Sequence, residues 1–141
     1  MQFVYPYTVH RADDGSWQVR FPDVPEAMTE AETEAEAHSL AADALIAALG
    51  GIVKLRRPLP PPSALGRHAV VVPMLAAAKL ALHQAMREQG LSNVALARKL
   101  GAQEGEVRRM LDLDHQSRVA AIEAALRLLG KQIATEVRAA A

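Results

Sequence analysis

The stretch that decides the fold is SNVALARKLGAQEGEVRRML, residues 92–111. Its apolar residues are spaced as in two short helices that pack on a common core, with a glycine between the two halves. Gly101 predicts the end of the first helix, because glycine readily adopts the left-handed or strained backbone that such a turn requires. Ala97 is small enough for the two helices to touch there. The pattern predicts a helix-turn-helix with these residues at its structural positions: Leu96, Ala97, Leu100, Gly101, Val107 and Met110.

Polar side chains remain on the outside of the second predicted helix, at Gln103, Glu104, Arg108 and Arg109. A recognition helix presents such residues to the major groove, where Gln pairs with adenine and Arg with guanine. An ordinary pair of core helices would show the same apolar spacing. The small alanine, the turn glycine and the paired arginines together favour binding to double-stranded DNA.

The segment resembles the helix-turn-helix of phage repressors. That resemblance implies that Asn93 opens the first helix and contacts a DNA phosphate, and we expect Ser92 to contribute beside it. The sequence departs from the common pattern at Glu104, Gly105 and Glu106. Two acids repel phosphate and a glycine weakens a helix, so the departure bears on which bases are contacted rather than on whether DNA is bound.

Charge is distributed unevenly along the chain of 141 residues, which is long enough for one ordinary domain or two small ones. Residues 1–62 hold nine acids and five bases, a net −4, and residues 63–141 hold seven acids and eleven bases, a net +4. Such an imbalance also arises by chance, but it suggests nucleic acid as the partner of the basic half and a basic protein as the partner of the acidic half.

The sequence also indicates the cellular compartment. The chain has no cysteine, which excludes disulfides and thiolate metal sites. We find no apolar run that approaches membrane-spanning length and no signal-peptide pattern at the N-terminus. We therefore expect a cytoplasmic protein without a membrane partner.

The N-terminal half has the alternation of a small antiparallel sheet. Residues 2–10 and 16–21 predict two strands joined by a turn at Asp13, Asp14 and Gly15, and residues 27–30 could add a third strand. Pro6 cannot donate a ladder hydrogen bond, so it predicts an edge position or a gap in pairing.

A helix is predicted next, because Thr33 is followed three residues later by Glu36, as in a capping box. Its apolar stripe is wide enough to cover a small sheet, and Gly50 and Gly51 weaken its end. The prolines of residues 56–63 favour an extended surface connection.

Residues 67–72 have a strand pattern, and a lone strand is unstable, so we expect it to return to the first sheet. From Met74 onward the pattern is helical, with a stop at Gly90, a cap at Ser117 and a short last segment marked by Ile133 and Val137. We predict an α+β protein with an N-terminal sheet domain, residues 1–73, and a C-terminal all-α helix-turn-helix domain, residues 74–141.

The N-terminal order of elements resembles the HicB antitoxin family. The family's V-x-F-P-D-x-P segment is matched here after the Asp-Asp-Gly turn, and a capped helix follows, as in that family. A C-terminal repressor-type helix-turn-helix occurs in one branch of it. The matching residues are Val19, Phe21, Pro22, Asp23 and Pro25.

The resemblance implies a degraded RNase H-like N-terminal fold and a HicA-like partner, a small basic toxin that cleaves mRNA. It also implies that the C-terminal domain represses the chain's own operon by binding operator DNA. Candidate toxin contacts are Trp17, Phe21, Asp23 and Glu26, although the strand alternation makes Trp17 and Phe21 core residues first.

RNase H-like chemistry would need several carboxylates around two metals, usually with one in the middle of the first strand. Tyr5 and Tyr7 stand there instead, while Asp13 and Asp14 fall in a turn, and we expect Asp23 to hydrogen-bond its own backbone in another. The five histidines show no metal-ligand spacing, and we expect each to lie at the surface or at a strand edge. We predict neither an enzyme nor a metal or cofactor site.

Two further expectations concern assembly and the rival function. One helix-turn-helix contacts few bases, so we expect a homodimer or homotetramer that places two copies on the DNA. Candidate pairing surfaces are the last helix, with Leu126 and Leu129, and the strand at residues 67–72. The alternative function is a stand-alone transcriptional regulator whose N-terminal domain senses a small ligand.

Overall fold

The structure is a computed structural model that describes residues 1–64 and 66–140. Within these residues it contains one four-stranded antiparallel sheet and five helices, which confirms the predicted α+β class. In chain order the elements are β1 (Val4–Arg11), β2 (Trp17–Arg20), β3 (Met28–Ala31), α1 (Glu34–Lys54), β4 (His68–Val71), α2 (Met74–Glu88), α3 (Asn93–Leu100), α4 (Glu104–Leu111) and α5 (Val119–Leu128).

The sheet has the strand order β3-β2-β1-β4, so the late strand β4 does return to the N-terminal hairpin. β1 changes partner along its length: residues 4–7 pair with β4, and residues 8–11 pair with β2. Pro6 lies in the first half, where the β1–β2 ladder has already stopped. Pro6 pairs with Ala69 of β4, so the predicted gap in pairing is found only on its β2 side, where its missing N–H disturbs no bond.

Helix α1 covers one face of the sheet. It begins where the sequence predicted, because the Thr33 hydroxyl oxygen accepts a hydrogen bond from the Glu36 amide at 3.2 Å. The expectation of a weak end at Gly50 and Gly51 was wrong, since the helix continues to Lys54. The added turn buries two more apolar side chains in the core against the sheet. The buried residues of α1 are Ala37, Ala41, Leu45, Leu49, Ile52 and Val53.

By length and composition alone, α1 is long and apolar enough to cross a membrane, so the expectation that no apolar run approaches this length was wrong. Its buried stripe packs on the sheet, and charged side chains such as Glu36 and Asp43 stand on its exposed side. These contacts are those of the core helix of a globular protein.

Helix α2 lies between two hydrophobic cores and contributes to both. Ala76 and Leu80 belong to the core formed by the sheet and α1. Ala78, Leu82 and Met86 belong to the core formed with α3, α4 and α5. We call these the sheet core and the helical core. The predicted boundary at residue 73 falls at the start of this shared helix.

Two expectations for the C-terminal end were wrong. Arg118, not Ser117, is the N-cap residue of α5, and the Ser117 hydroxyl contacts the Lys79 side chain instead. Residues 131–140 form neither helix nor strand, although Ile133 still packs against the helical core. Ile133 and Val137 are four residues apart, and so short a helical pattern does not form a stable helix without further packing.

Candidate nucleic-acid interface and partner-binding face

Helices α3 and α4 are eight residues each and are joined by residues 101–103. Ser92 is the N-cap of α3, and its hydroxyl oxygen accepts a hydrogen bond from the Ala95 amide at 3.1 Å. Gly101 ends α3 with φ at 65°, the left-handed conformation that glycine accommodates best. The sequence thus placed both helices and the turn between them.

The side chains predicted to join α3 and α4 lie in the helical core. Leu96, Ala97 and Val107 are buried, and Leu100 and Met110 are half-buried against the same cluster. Burial of one face of such a short helix fixes the direction in which its other face points, because the helix cannot roll without exposing that cluster.

The outer face of α4 carries the predicted base-contacting residues. Gln103, Arg108 and Arg109 are exposed, and Glu104 is half-buried. The Arg108 Nη1 atom lies 3.8 Å from the Glu104 Oε2 atom, and the two side chains are 70% and 40% exposed. An ion pair this long and this open to water holds its partners weakly, so Arg108 can leave Glu104 for an external ligand.

The Arg108 and Arg109 side chains both lie beside Gly105. A methyl group in place of its hydrogen would lie 3.5 Å from the Arg108 Nη2 atom and 3.5 Å from the Arg109 Nη1 atom. The two guanidinium groups therefore flank the same point on α4. Guanidinium groups are planar, always charged and donate two parallel hydrogen bonds, which suits them to guanine or phosphate.

Asn93 faces inward rather than outward. Its side chain is 8% exposed, and its amide nitrogen lies 3.5 Å from the Glu104 Oε1 atom, at the limit of a hydrogen bond. Within the described residues its Oδ1 atom is buried without a hydrogen-bond partner. The neighbouring Ser92 is exposed, so of the two expected phosphate contacts the structure places Ser92 on the surface and Asn93 beneath it.

On the N-terminal side, two of the four candidate partner contacts are apolar. Trp17 is half-buried on β2, beside Ala31 of β3 and Arg11 of β1. Phe21 is only 2% exposed, and its ring centroid lies 5.5 Å from that of Tyr7. Phe21 is therefore a core residue, and Trp17 presents only its outer part to solvent.

The other two candidates lie in the loop between β2 and β3 and hold the proline-rich segment, residues 56–63. The Asp23 Oδ2 atom accepts hydrogen bonds from the Ser63 amide at 2.8 Å and the Ser63 hydroxyl at 3.0 Å. The expectation that Asp23 bonds its own backbone was therefore wrong. Glu26 forms an ion pair with Arg57 at 3.4 Å, with both side chains about half exposed.

A third contact holds the same segment from inside the sheet. The Tyr5 hydroxyl donates a hydrogen bond to the Pro60 carbonyl oxygen at 2.8 Å. Burial, and next the nearby charge of Asp23, raise the pKa of Tyr5 to about 12. The proline-rich segment is thus a strap rather than a free linker: its two ends are held by the β2–β3 loop and its middle by β1.

Sequence reasoning missed two polar clusters. In the first, the Tyr7 hydroxyl lies 2.8 Å from the His38 Nδ1 atom, and the Tyr7 ring stacks on His68 with ring centroids 5.5 Å apart. Tyr7 and His68 are opposite each other in the β1–β4 register, a relation that alternation within one strand does not reveal.

The second cluster is on α2, where two charged or titratable side chains are buried. His83 lies 2.8 Å from the Arg57 carbonyl oxygen, and burial lowers the pKa of its imidazole. The expectation that every histidine lies at the surface or at a strand edge was wrong for His83. Lys79 is 0% exposed. Both residues lie four positions apart among the buried apolar residues of α2, and this position in the sequence could have indicated their burial.

The described part of the chain contains no group of three or more His, Asp or Glu side chains placed to hold a metal ion. Its candidate carboxylates are engaged locally: Asp14 accepts hydrogen bonds from the Ser16 amide at 2.9 Å and the Ser16 hydroxyl at 2.6 Å. These bonds lower the pKa of Asp14 and stabilise the turn.

Comparison with known proteins identifies the family. A family model described as HicB_like antitoxin of bacterial toxin-antitoxin system matches residues 4–81. Antitoxin HicB 2 of Photorhabdus laumondii is 40% identical over 86% of this chain and 87% of its own length. Antitoxin HicB of Escherichia coli K12 is 35% identical over 92% and 95%, and Antitoxin HicB of Pseudomonas fluorescens is 35% identical over 99% and 97%. With the sheet, the strap and the V-x-F-P-D-x-P segment in place, these matches show that the chain belongs to the HicB family of antitoxins of bacterial toxin-antitoxin systems.

Proposed function

We propose that this antitoxin neutralises a cognate HicA-type mRNA-cleaving toxin through residues 1–73 and represses its own operon through residues 74–141. The observation that supports DNA binding is the geometry of α4. This eight-residue helix buries Val107 on one side and exposes Arg108 and Arg109 on the other. Both activities place the protein in the cytoplasm, where mRNA and operator DNA are found.

In this proposal, α3 and α4 form a helix-turn-helix, and α4 enters the major groove of the operator. Gln103, Arg108 and Arg109 read bases, while Ser92 contacts the phosphate backbone. Glu104 releases Arg108 on binding and accepts from a base amino group such as that of cytosine. Asn93 does not contact DNA in this proposal; it is buried and orients Glu104 at the start of α4.

The toxin is drawn to the acidic half of the molecule. Exposed carboxylates follow one another where β3 meets α1, at Glu30, Glu32, Glu34 and Glu36. Such a patch chiefly accelerates the encounter with a basic protein, whereas buried apolar contacts hold the complex. In this proposal Trp17, Asp23 and Glu26 contribute to the contact surface, and Phe21 supports it from the core.

We also propose that the chain acts as a homodimer or homotetramer, so that two copies of α4 reach the operator. Of the two candidate pairing surfaces, the last helix is less suitable than expected, because Leu126 and Leu129 are buried in the helical core. β4 lies at the edge of the sheet with Val71 exposed and is the better candidate.

The test of DNA binding compares the full-length chain with an Arg108→Ala, Arg109→Ala double variant on the chain's own promoter fragment. If Arg108 reads a guanine, its loss costs on the order of 1–3 kcal/mol per half-site and relaxes specificity there. If it contacts only phosphate, binding weakens on all sequences alike and the slope against salt falls. Equal operator affinity in the wild type and the double variant would remove α4 from the interface.

The test of toxin neutralisation is co-expression with the adjacent reading frame, followed by a growth assay and co-purification. We expect the Arg108→Ala, Arg109→Ala variant to protect cells fully while repression is lost. A Glu30→Lys, Glu32→Lys variant should show the converse, with slower toxin association and unchanged operator binding. A wild-type chain that binds the operator but gives no protection would favour a stand-alone transcriptional regulator instead.

A further inference from the structure

The Lys79 side chain reaches from the middle of α2 to the end of α4. Its Nζ atom lies 3.0 Å from the Arg109 carbonyl oxygen, 2.6 Å from that of Asp112, 2.7 Å from that of His115 and 2.9 Å from the Ser117 hydroxyl oxygen. Four oxygen atoms surround an ammonium group that has three N–H donors, so at least one N–H is shared.

This arrangement completes the C-terminal end of α4. The last carbonyl groups of a helix have no partner within it, and a cation there also interacts favourably with the helix dipole. α4 ends at Leu111, and Asp112 follows it as the C-cap residue with an extended backbone. The Arg109 carbonyl oxygen already accepts a hydrogen bond from the Asp112 amide at 3.3 Å. Lys79 adds a second, charged donor to this oxygen and to the carbonyl groups of the following loop.

The loop between α4 and α5 is short and is organised mainly by polar contacts. The Asp114 amide donates to the Asp112 side chain at 2.9 Å, and the His115 amide donates to the Asp112 carbonyl oxygen at 3.1 Å. On its other side, Leu113 packs against Gly50 of α1, where a methyl group would lie 3.8 Å from the leucine. The Lys79 ammonium group contacts the carbonyl oxygens of Asp112 and His115 in this loop.

A buried ammonium group that forms these contacts has been desolvated, and desolvation lowers the pKa of Lys79, while Asp112 and then Asp114 oppose that shift. A methylene-rich apolar side chain would fill the same space without this cost. The contacts therefore indicate a requirement for the charge at this position rather than for volume alone.

We propose that Lys79 is a positioning residue for DNA binding: by holding the carbonyl groups of Arg109, Asp112 and His115 together with the Ser117 hydroxyl, it fixes the orientation in which α4 presents Arg108 and Arg109. This inference rests on the proposed DNA-binding role of α4. Lys79 itself is buried and contacts no DNA. Its effect on the operator passes through the backbone of Arg109, the residue next to Arg108.

The experiment uses the full-length chain and three single variants. Lys79→Met keeps the volume and removes the donors, and Ser117→Ala removes one of the four acceptors from a half-buried site. Lys54→Met is the matched control, because it removes the same charge from an exposed position at the end of α1. We expect operator binding about tenfold weaker for Lys79→Met, about threefold weaker for Ser117→Ala, and unchanged for Lys54→Met.

A double-mutant cycle separates positioning from a general loss of stability. If Lys79 acts through Arg108 and Arg109, the Arg108→Ala, Arg109→Ala change should weaken operator binding much less in the Lys79→Met background than in the wild type. Amide hydrogen exchange should accelerate at Asp114, His115 and Ser117 in Lys79→Met, whereas toxin binding should be retained.

Failure of the proposed function and failure of the role of Lys79 give different results. A wild-type chain that does not bind its operator would refute the proposed function. A wild-type chain that binds, with Lys79→Met binding equally well or with strictly additive losses in the cycle, would refute the role of Lys79. Unchanged hydrogen exchange at residues 114–117 in Lys79→Met would refute it independently of DNA. If Lys79→Met does not fold, Ser117→Ala with wild-type operator affinity and exchange would decide against it.

Discussion

The sheet core and the helical core share α2 but are stabilised differently. The sheet core combines three backbone ladders with the 21-residue helix α1 and buries the large side chains of Tyr5 and Phe21. The helical core joins α2 to three helices of eight to ten residues, and its buried side chains are mostly leucine, isoleucine, valine and alanine. Helices this short are marginal in isolation, so the second core depends on its contacts with α2.

The two cores also use buried polar groups for different purposes. In the sheet core, Tyr5 donates outward and fixes the strap at Pro60. Beside the helical core, Lys79 connects α2 to the end of α4, and the Asn93 amide of α3 lies 3.5 Å from Glu104 of α4. A sheet fixes its strands through backbone hydrogen bonds, whereas short helices have no such ladder between them and need side chains to set their relative positions.

The largest expected loss of stability comes from truncating one buried leucine in each core to alanine. Leu45→Ala in α1 and Leu96→Ala in α3 both remove a fully buried side chain, and each should cost about 2–5 kcal/mol. We expect Leu96→Ala to accelerate amide exchange in α3, α4 and α5 while β1 and β2 stay protected, because the ladders do not depend on the helical core. Equal acceleration in the sheet would show that α2 joins both cores into one cooperative unit.

Alkaline pH should act on the sheet core through Tyr5. Its pKa is raised from 10.0 to about 12 in the folded chain, so the unfolded chain loses this proton first as the pH rises. The contribution of Tyr5 to stability is therefore complete below pH 10 and is lost between pH 10 and about 12, by at most about 3 kcal/mol.

Urea unfolding of the wild type and Tyr5→Phe across this pH range measures the effect. Tyr5→Phe should be less stable at neutral pH, because the bond to Pro60 is lost, and its stability should fall less between pH 10 and 12. Tyr7→Phe is the control and should retain most of the wild-type decline. Parallel curves for the wild type and Tyr5→Phe would contradict this account.

The smallest expected effect concerns the two helix caps. Thr33→Ala and Ser92→Ala each remove one side-chain acceptor at a helix N-terminus, and each should cost about 1 kcal/mol. Ser92→Ala should also weaken operator binding, because it removes the proposed phosphate contact and the cap of the eight-residue helix that supports α4, whereas Thr33→Ala should leave the operator affinity unchanged. Thermal melts paired with binding assays would test this, and the reverse pattern would argue against a role of Ser92 in operator binding.

Local sequence predicted most of the secondary structure. β3 and β4 lie within one residue of their predicted bounds, and the cap at Thr33 and the left-handed Gly101 are where the pattern placed them. The failures are at Gly50 and Gly51, which do not end α1, and at Ser117, which does not cap α5. In both places tertiary packing outweighed local preference, by burying Ile52 and Val53 in the first case and by engaging the serine with Lys79 in the second.

The sequence by itself determined the order of the elements, the family and the residues of α4 that face outward, because helix period, strand alternation and turn glycines act over a few residues. Only the tertiary structure decided which polar groups meet. Asp23 meets Ser63 across 40 positions, and Lys79 meets the Arg109, Asp112 and His115 carbonyl groups across 30 to 36. Such partners are neighbours only in the folded chain, where α2 packs between the two cores, so no local pattern of residues predicts them.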